Sequence, residues 1–298
     1  MFGILNINKP AGCTSRDVVS HVQRLVRPAK VGHAGTLDPL ATGVLVVCVG
    51  PATRLIQYVQ EMPKVYQATF LLGRSSRSDD IETDITELVD PPQPTLANIE
   101  AQLPKFLGPI EQHPPMYSAI KIKGQRAYRL ARLGQQVDLQ PRIVEIYGLH
   151  VDSFVYPELK VTMRCGSGTY VRSVGRDLAK SLGTRAVMSE LVRTAIGDYL
   201  LGDACEINSL SAEQISERLL APLSAVANLP QLEITLQQLQ EIRHGRLFNS
   251  QESVANQDES SFVIAAIDPK GRLVALLQQR RPGMLGPLCN FVLPEQLV

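Results

Sequence analysis

The sequence has few of the features that mark a membrane, secreted or metal-binding protein. No stretch reaches the roughly 18 consecutive apolar residues of a membrane span, and residues 1–10 lack the basic and then apolar pattern of a secretory signal. The chain has only five cysteines, none in Cys-x-x-Cys spacing, and its five histidines form no pair at metal-ligand spacing. We therefore expect neither a disulfide framework nor a zinc site. We expect the cysteines to be reduced, in a cytoplasmic protein.

Net charge is also nearly absent, at +1 over 298 residues, which argues against nucleic-acid binding through bulk charge. The charge is unevenly distributed, however: residues 1–75 carry +5, 76–120 carry −6, 121–200 carry +6 and 201–298 carry −4. Most of the cations are arginines, which make forked contacts to phosphate and stack on bases. If the two basic segments share one face, they form a polyanion-binding surface; otherwise they are ordinary solvated faces.

A hydrophobic fraction of 44% with 20% charged residues is typical of a folded chain with a sizeable core, in one large domain or two ordinary ones. The apolar patterns predict strands over 2–8 (an edge strand), 44–49, 66–72, 142–155, 158–165, 262–267 and 273–277. They predict helices from Thr14 or Ser15 to about 26, and over 53–60, 95–103, 127–133, 169–182, 211–221 and from about 236. Residues 73–95 are acidic and predict an exposed loop. This irregular order of strands and helices favours an α+β fold.

The densest candidate for chemistry is the glycine-rich segment over residues 30–43. A single acid, Asp38, lies there among neutral residues just before the apolar strand over 44–49. An acid beside a core strand is held rigidly, as a nucleophile or general base requires. The alternative is an ordinary turn, since Asp-Pro and glycine are frequent in turns.

Three further segments combine small, aromatic and basic residues. In residues 165–172, Tyr170 and Arg172 fall at a predicted helix start, where an arginine opposes the helix dipole unless a carboxylate answers it. Residues 114–128 interleave tyrosines with basic residues, as in a surface that stacks on bases, although an amphipathic edge strand is an equal alternative. Tyr66 follows Lys64 at a strand start and is by itself ordinary.

Six short motifs contain these residues and follow one another over residues 3 to about 197: Asn8-Lys9-Pro10-x-Gly12-x-Thr14-Ser15; Gly32-His33-Ala34-Gly35-Thr36-Leu37-Asp38-Pro39-Leu40-Ala41-Thr42-Gly43; Lys64-x-Tyr66; Pro115-x-Tyr117-Ser118-Ala119-x-Lys121; Arg126-x-Tyr128 with Ala131-Arg132-x-Gly134; and Gly168-Thr169-Tyr170-x-Arg172. In this order they resemble the TruB family of tRNA pseudouridine synthases. The chain departs from the family at residues 76–83, where the usual Thr-x-Thr-x-Asp-x-x-Gly pattern lacks its glycine.

The resemblance implies a function and an architecture. Members of the family convert a uridine in the tRNA T-loop, position 55, to pseudouridine, without metal or small-molecule cofactor, and act as monomers. It implies a catalytic domain of pseudouridine-synthase type over residues 1–228, with a mixed, mostly antiparallel sheet and flanking helices. A small, mostly β, PUA-like RNA-binding domain follows over residues 229–298. The expected partner is the T-arm stem-loop of tRNA, in the cytoplasm and not at a membrane.

The resemblance also implies roles for particular residues. Asp38 is the expected nucleophile, acting at C1′, at C6 or on the C2′ proton, with Arg172 holding it ionised and Tyr66 stacking on the base near C5. The remaining expected contacts are His33 in the space that the extruded base vacates, Tyr170 and Leu191 in the pocket, and Lys9, Lys121, Arg126 and Arg132 on phosphates.

Two functions of other classes remain alternatives. A non-catalytic tRNA-binding or folding module explains the basic segments and tyrosines but gives no reason for an acid in the glycine loop. A hydrolase with paired carboxylates needs a second rigid acid, and residues 1–75 offer only Asp17 and Glu61, both on predicted helices.

Overall fold

The computed structural model describes residues 1–118, 121–122, 125–126, 139–249 and 262–292. Its α-helices in these ranges are α1 (Ser15–Leu25), α2 (Ile56–Glu61), α3 (Leu96–Glu100), α4 (Val171–Ser181), α5 (Ala212–Arg218) and α6 (Leu236–Arg243). Its strands are β1 (Gly3–Lys9), β2 (Val31–His33), β3 (Thr42–Val49), β4 (Lys64–Leu72), β5 (Arg74–Ser76), β6 (Ile85–Glu87), β7 (Gly108–Gln112), β8 (Lys121–Ile122), β9 (Gln125–Arg126), β10 (Arg142–Val155), β11 (Glu158–Cys165), β12 (Ala186–Ile196), β13 (Tyr199–Leu200), β14 (Cys205–Glu206), β15 (Gln231–Glu233), β16 (Phe248–Asn249), β17 (Val263–Ile267), β18 (Leu273–Arg281) and β19 (Met284–Asn290). The α+β class is confirmed, whereas the helix predicted over 127–133 lies outside the described residues.

In the described part of the chain, ten strands form one large sheet in the order β14-β1-β3-β12-β4-β11-β10-β7, with β2 beside β3 and β13 beside β12. The β1–β14 and β3–β12 pairs are parallel and the other pairs are antiparallel. The sheet is therefore mixed and mostly antiparallel, as expected. Apolar side chains cover both of its faces, and α1 and α4 contribute their buried valines and leucines to this core.

Thr14, not Ser15, caps helix α1, because Thr14 forms a capping box. The Thr14 hydroxyl accepts from the Asp17 amide at 3.1 Å, and the Asp17 carboxylate accepts from the Thr14 amide at 2.9 Å. Ser15 is thereby left free to bond the glycine-rich loop: its hydroxyl accepts from the Leu37 amide at 2.8 Å. The first residue of α1 thus fixes the segment that carries Asp38.

The strand predicted over 2–8 is present as β1, but its predicted place at a sheet edge was wrong. Strand β1 lies between β14 and β3, and its apolar residues Ile4, Leu5 and Ile7 have no exposed surface. The alternating pattern misled the prediction because the intervening Asn6 is also buried, with its amide donating to the Leu200 carbonyl at 2.7 Å.

Strand β12 has no counterpart among the predicted elements, although it lies at the centre of the sheet between β3 and β4. Its pairing with β4 shifts between Met188 and Glu190 and again between Arg193 and Ala195. Each irregularity reverses the inward and outward alternation, so the sequence shows no regular period of two.

The exposed acidic loop predicted over 73–95 was also wrong in part. Strands β5 and β6 form a two-stranded ribbon there, and the turn between them buries Ser78 and Asp80 at 1% and 0% exposure. Asp80 also forms a bridge to Met188 of β12. Asp79 is half-buried against Arg176, whereas Glu82, Asp84, Glu87 and Asp90 are exposed, which is why composition indicated a loop.

A second sheet, in the order β15-β17-β18-β19-β16, contains the described strands after residue 230. It packs against the large sheet through a shared apolar cluster, in which the ring of Phe2 stacks on that of Phe291 at 5.2 Å between centroids. The small β unit at the C-terminus is confirmed, while its boundary at 228/229 stays a prediction. Within the described ranges, no helix is long and apolar enough to cross a membrane.

Candidate active site

The glycine-rich loop between β2 and β3 carries Asp38 and is tied to the large sheet. The Gly12 amide donates to the Pro39 carbonyl at 2.9 Å, and the Ala41 amide donates to the Asp38 carbonyl at 3.1 Å, which closes a turn. At the end of the loop Gly43 has φ +100°, and a Cβ there would lie 2.2 Å from the Arg193 carbonyl oxygen. Only glycine allows β3 and β12 to approach so closely. The segment is both a turn and the rigid support of an acid.

Asp38 meets Arg172, as the sequence predicts. An Oδ2 of Asp38 lies 3.1 Å from Nη2 of Arg172, which reaches the loop from the first turn of α4. The guanidinium is 4% exposed and also donates to the carbonyls of Ser78 at 2.8 Å and Tyr117 at 2.9 Å. Its planar fork is therefore held in one orientation.

A second carboxylate, Asp80, binds the other side of Arg172. Its Oδ2 lies 3.1 Å from Nη1, and its side chain is 1% exposed. The Asp80 Oδ1 accepts from the Ser78 hydroxyl and from the Glu82 amide. One guanidinium thus links two carboxylates, of which only Asp38, 34% exposed, opens to the cavity.

The electrostatics of Asp38 are finely balanced. Burial raises the pKa of its carboxyl above the ordinary value, Arg172 opposes this rise, and the Asp80 charge adds to it. Burial is the largest of these effects, so the pKa stays above its ordinary value despite Arg172. The arrangement is that of an acid kept reactive by desolvation beside a fixed cation.

Asp38 and Arg172 line a cavity of about 300 Å³ together with Tyr66, Tyr170 and Leu191. Tyr66 lies on β4 and Leu191 on β12, and both are largely buried. Tyr170 caps α4, and the Arg142 guanidinium stacks over its ring at 4.5 Å. The five predicted pocket residues therefore meet in one place.

Lys9 does not fit its predicted role. Its side chain has no exposed surface, and its ammonium donates to the carbonyls of Pro10 and Cys13 at 2.8 Å and of Pro39 at 3.3 Å. Burial lowers its pKa, against the opposing charge of Asp38. A phosphate has no access to Lys9 in this arrangement. Instead, the lysine ties β1 to the loop that carries Asp38.

The other predicted contacts lie beside the cavity or outside the described residues. His33 ends β2 and does not line the cavity; its Nδ1 is buried without a partner among the described residues, and burial lowers the ring's pKa. Lys121 and Arg126 lie in the paired strands β8 and β9, but their side chains are outside the described part, as is the whole of Arg132.

Three further residues of the site were not predicted: Asp80, Arg142 and Arg193. Arg193, on β12, is 1% exposed and lines the cavity. Its sequence signal is weak, because Arg193 lies in a segment that also contains Ser189, Glu190 and Thr194. Asp80 offered no such signal, because it lies among five other acids over 79–90. In the described ranges, no group of three or more His, Cys, Asp or Glu could hold a metal ion.

The fold has counterparts among solved structures. A Cbf5–Nop10–Gar1 complex matches with a TM-score of 0.72 at 24% identity, over 95% of this chain and 79% of that chain. An H/ACA RNP bound to a substrate RNA that contains 2′-deoxyuridine matches with a TM-score of 0.74 at 22% identity, over 99% and 86%. At these identities the likeness concerns the fold alone. The chain therefore shares its class of fold with a chain of each of these complexes.

The relatives by sequence narrow this class to one family. Residues 23–171 match the model of the TruB family pseudouridylate synthase N-terminal domain. A protein of Dehalococcoides mccartyi named tRNA pseudouridine synthase B is 39% identical over 98% of this chain and 97% of its own length. Another of that name from Acaryochloris marina is 44% identical over 78% and 80%. The chain belongs to the TruB family.

Proposed function

We propose that this protein isomerises a uridine of tRNA to pseudouridine, and that its target is the T-loop uridine at position 55. The observation that carries the proposal is the contact of 3.1 Å between Asp38 and Arg172 inside a cavity lined by Tyr66 and Leu191. Relatives named tRNA pseudouridine synthase B, aligned over nearly the whole chain, support the coarser activity. The choice of the T-loop rests on the family resemblance.

The reaction needs a carboxylate more than any other group. The N1–C1′ bond breaks, the uracil turns, C5 joins C1′, and the proton of C5 leaves while N1 regains one. In this proposal Asp38 acts at C1′, at C6 or on the C2′ proton, and Arg172 keeps it charged and oriented. Tyr66 stacks on the base near C5, and Tyr170 and Leu191 close the pocket around it.

The target nucleotide must leave its loop before it can reach Asp38. Extrusion costs a few kcal/mol of stacking, and His33 at the end of β2 is proposed to occupy the vacated space. Burial lowers the pKa of His33 in the free protein, which favours its neutral imidazole there. The basic residues proposed to contact phosphates are Lys121, Arg126 and Arg132. The C-terminal unit from residue 229 is proposed to contact the RNA beyond the loop. We expect a cytoplasmic monomer.

The remaining alternative is a tRNA-binding module without turnover. The buried Asp38–Arg172–Asp80 group argues against it, since a carboxylate beside RNA repels phosphate and serves no purpose in binding alone. The paired-carboxylate hydrolase gains a second acid in Asp80, but that side chain is 1% exposed and already bound to Arg172. Asp80 therefore lacks the access to water or substrate that hydrolysis requires.

The test is to incubate the full-length protein with a tRNA transcript that carries tritium at uracil C5. We expect tritium release to the solvent and, after chemical mapping, pseudouridine at position 55. A transcript with cytidine at position 55 is the control and should release nothing. Tight tRNA binding with no release would favour the binding module, and release from the control would contradict the choice of position.

A further inference from the structure

A second pair of charged side chains faces the cavity beside Tyr66, and the proposed mechanism does not use it. Lys64 lies two residues before Tyr66 on β4, so both point to the same face of the sheet. Arg193 lies directly opposite Tyr66 on β12, and both Lys64 and Arg193 line the cavity. The two cations therefore flank the ring that is expected to stack on the base.

Both cations are buried without a carboxylate. Lys64 is 6% and Arg193 1% exposed, and neither forms an ion pair within the described part of the chain. Lys64 donates to the carbonyls of Gln60 and Met62, and Arg193 donates from Nε to Val44 at 2.7 Å and from Nη2 to Gly35 at 3.0 Å. These bonds leave Lys64 with one further N–H. The Arg193 guanidinium also hydrogen-bonds the Tyr66 side chain and lies 6.0 Å from the centroid of its ring, so at most two of its N–H groups are left for a ligand.

The neighbouring groups do not neutralise this charge. Cys165 pairs with Lys64 across β11 and β4, and burial raises the pKa of its thiol to about 11, so it is uncharged at neutral pH. Burial also raises the pKa of Tyr66, which keeps its phenol neutral. Glu61 acts on Lys64 only weakly and from an exposed position. Two adjacent buried cations without a counterion are costly, and they are typical of a site that awaits an anion.

We propose that Lys64 and Arg193 form an anion subsite that stabilises the negative charge on the detached uracil. This inference rests on the proposed function and assigns a further step of it. When the N1–C1′ bond breaks, its electron pair stays on N1 and spreads to the ring carbonyl oxygens. The ribose is captured by Asp38 or loses its C2′ proton, so atoms and charge balance. The ring anion then attacks C1′ through C5, while the Asp38–C1′ bond breaks or, on the other route, C2′ regains its proton. Loss of the C5 proton and protonation of N1 complete the isomerisation.

The position of the pair favours the ring over a phosphate as the bound anion. The two cations flank Tyr66, the proposed stacking partner of the base. They lie on strands β4 and β12, whereas Asp38 lies on its own loop, where Arg172 holds it. Charges fixed in advance where negative charge develops lower a barrier most effectively. A phosphodiester at the same place would instead be bound equally before and during the reaction, which improves affinity and not rate.

The first experiment compares full-length Lys64→Met and Lys64→Arg with wild type under single-turnover conditions, alongside tRNA affinity. We expect Lys64→Met to slow conversion about 100-fold or more, with the tRNA Kd within about twofold of wild type. Lys64→Arg should recover most of the rate, because it restores the charge. Lys180→Met removes an exposed lysine at the end of α4 and should behave as wild type.

A second substrate distinguishes the two candidates for the bound anion, the detached uracil ring and a phosphate. Fluorine at C5 withdraws electrons and stabilises the ring anion, so tRNA transcribed with 5-fluorouridine depends less on the protein for this step. Conversion of both RNAs is followed by nuclease digestion and chromatography. We expect the loss in Lys64→Met to be about tenfold smaller with the fluorinated RNA.

Several outcomes would overturn the inference. A Kd that weakens while the rate stays unchanged would assign the pair to a phosphate. If Lys64→Met lost the same factor in conversion rate with both RNAs, or lost no rate at all, Lys64 would have no role in stabilising the ring anion. Thermal unfolding of Lys64→Met is measured in parallel, and a rate loss that Lys64→Arg fails to recover would indicate a structural role. Wild-type protein that makes no pseudouridine would instead refute the proposed function.

The pH dependence gives an independent readout for Lys64. Burial and the Arg193 charge lower the pKa of Lys64 to about 8, while Cys165 and Glu61 oppose this shift. As the ammonium loses its proton above that pH, kcat/KM of the wild type should fall, and Lys64→Arg should lack this decrease. A decrease near pH 8 that persists in Lys64→Arg would contradict the assignment.

Discussion

Asp38 is the residue on which the proposed chemistry depends, and its replacement gives the most direct prediction. Asp38→Asn keeps the size of the side chain but cannot act as a nucleophile or base. We expect tritium release from uracil C5 to disappear, with the tRNA Kd within about tenfold of wild type, since binding rests on contacts elsewhere. Retained turnover with lost binding would reverse the assignment.

The raised pKa of Asp38 also makes a stability prediction. A carboxyl whose folded pKa lies above its unfolded value of 3.8 favours the folded state at low pH, and this contribution is lost as the pH rises through the folded pKa. Ionised Asp38 therefore costs stability at pH 7, and Asp38→Asn should have a higher Tm there. The difference should shrink towards pH 4. A lower Tm at pH 7 would show that the Arg172 contact outweighs desolvation.

Arg172 has a different kind of importance, because it links two acids. Arg172→Ala leaves Asp38 and Asp80 without their shared cation, and we expect almost no turnover together with a loss of several kcal/mol of stability. Adding Asp80→Asn removes one of the two unpaired charges, so the double variant should recover part of its Tm but no activity. Substantial activity in Arg172→Ala would remove the ion pair from the mechanism.

Among the elements, the β10–β11 hairpin and the central strand β12 show which strands a sequence pattern predicts and which it does not. Strands β10 and β11 have the predicted bounds, because a proline turn separates two alternating segments. Strand β12 could not be predicted, since its two irregularities with β4 break the alternation. The same strand brings Leu191 and Arg193 into the cavity. A site residue on an irregular strand is visible in the sequence only through a family motif.

The contact between β3 and β12 can be tested at Gly43. An alanine Cβ there would meet the Arg193 carbonyl at 2.2 Å, so Gly43→Ala must push the strands apart or distort the loop. We expect about 2 kcal/mol or more of lost stability and a large loss of turnover. Gly108, with φ +77° and nothing within 4 Å of a Cβ, is the matched control. Equal losses in Gly108→Ala would mean that backbone strain alone is responsible.

Across the whole molecule, a basic groove outside the candidate active site is formed by the N-terminal segment. Three exposed cations, Arg27, Lys30 and Arg54, line this cavity of about 730 Å³ and form no ion pair in the described ranges. The Arg54 guanidinium also lies 5.0 Å above the ring of Phe291 in the C-terminal unit.

This groove predicts a salt-dependent contribution to tRNA binding. Replacing Arg27, Lys30 and Arg54 together by glutamine should weaken binding and lower the slope of log Kd against log salt by about 2, at roughly 0.7 to 0.9 per phosphate contact. A control variant with glutamine at the exposed residues Lys105, Lys180 and Arg185 has the same net charge. The same slope in both variants would assign the effect to bulk charge.

The sequence by itself determined the class of fold, the hairpin and the C-terminal β unit, which follow from local turn and strand chemistry. The meeting of Asp38 with Arg172 was expected from the family resemblance that the sequence motifs carry. Only the tertiary structure decided that Lys9 is buried, that Asp80 shares Arg172, and that Lys64 and Arg193 face one cavity. Burial and charge pairing depend on which strands become neighbours, and residues far apart in the chain acquire those properties only when the sheet forms.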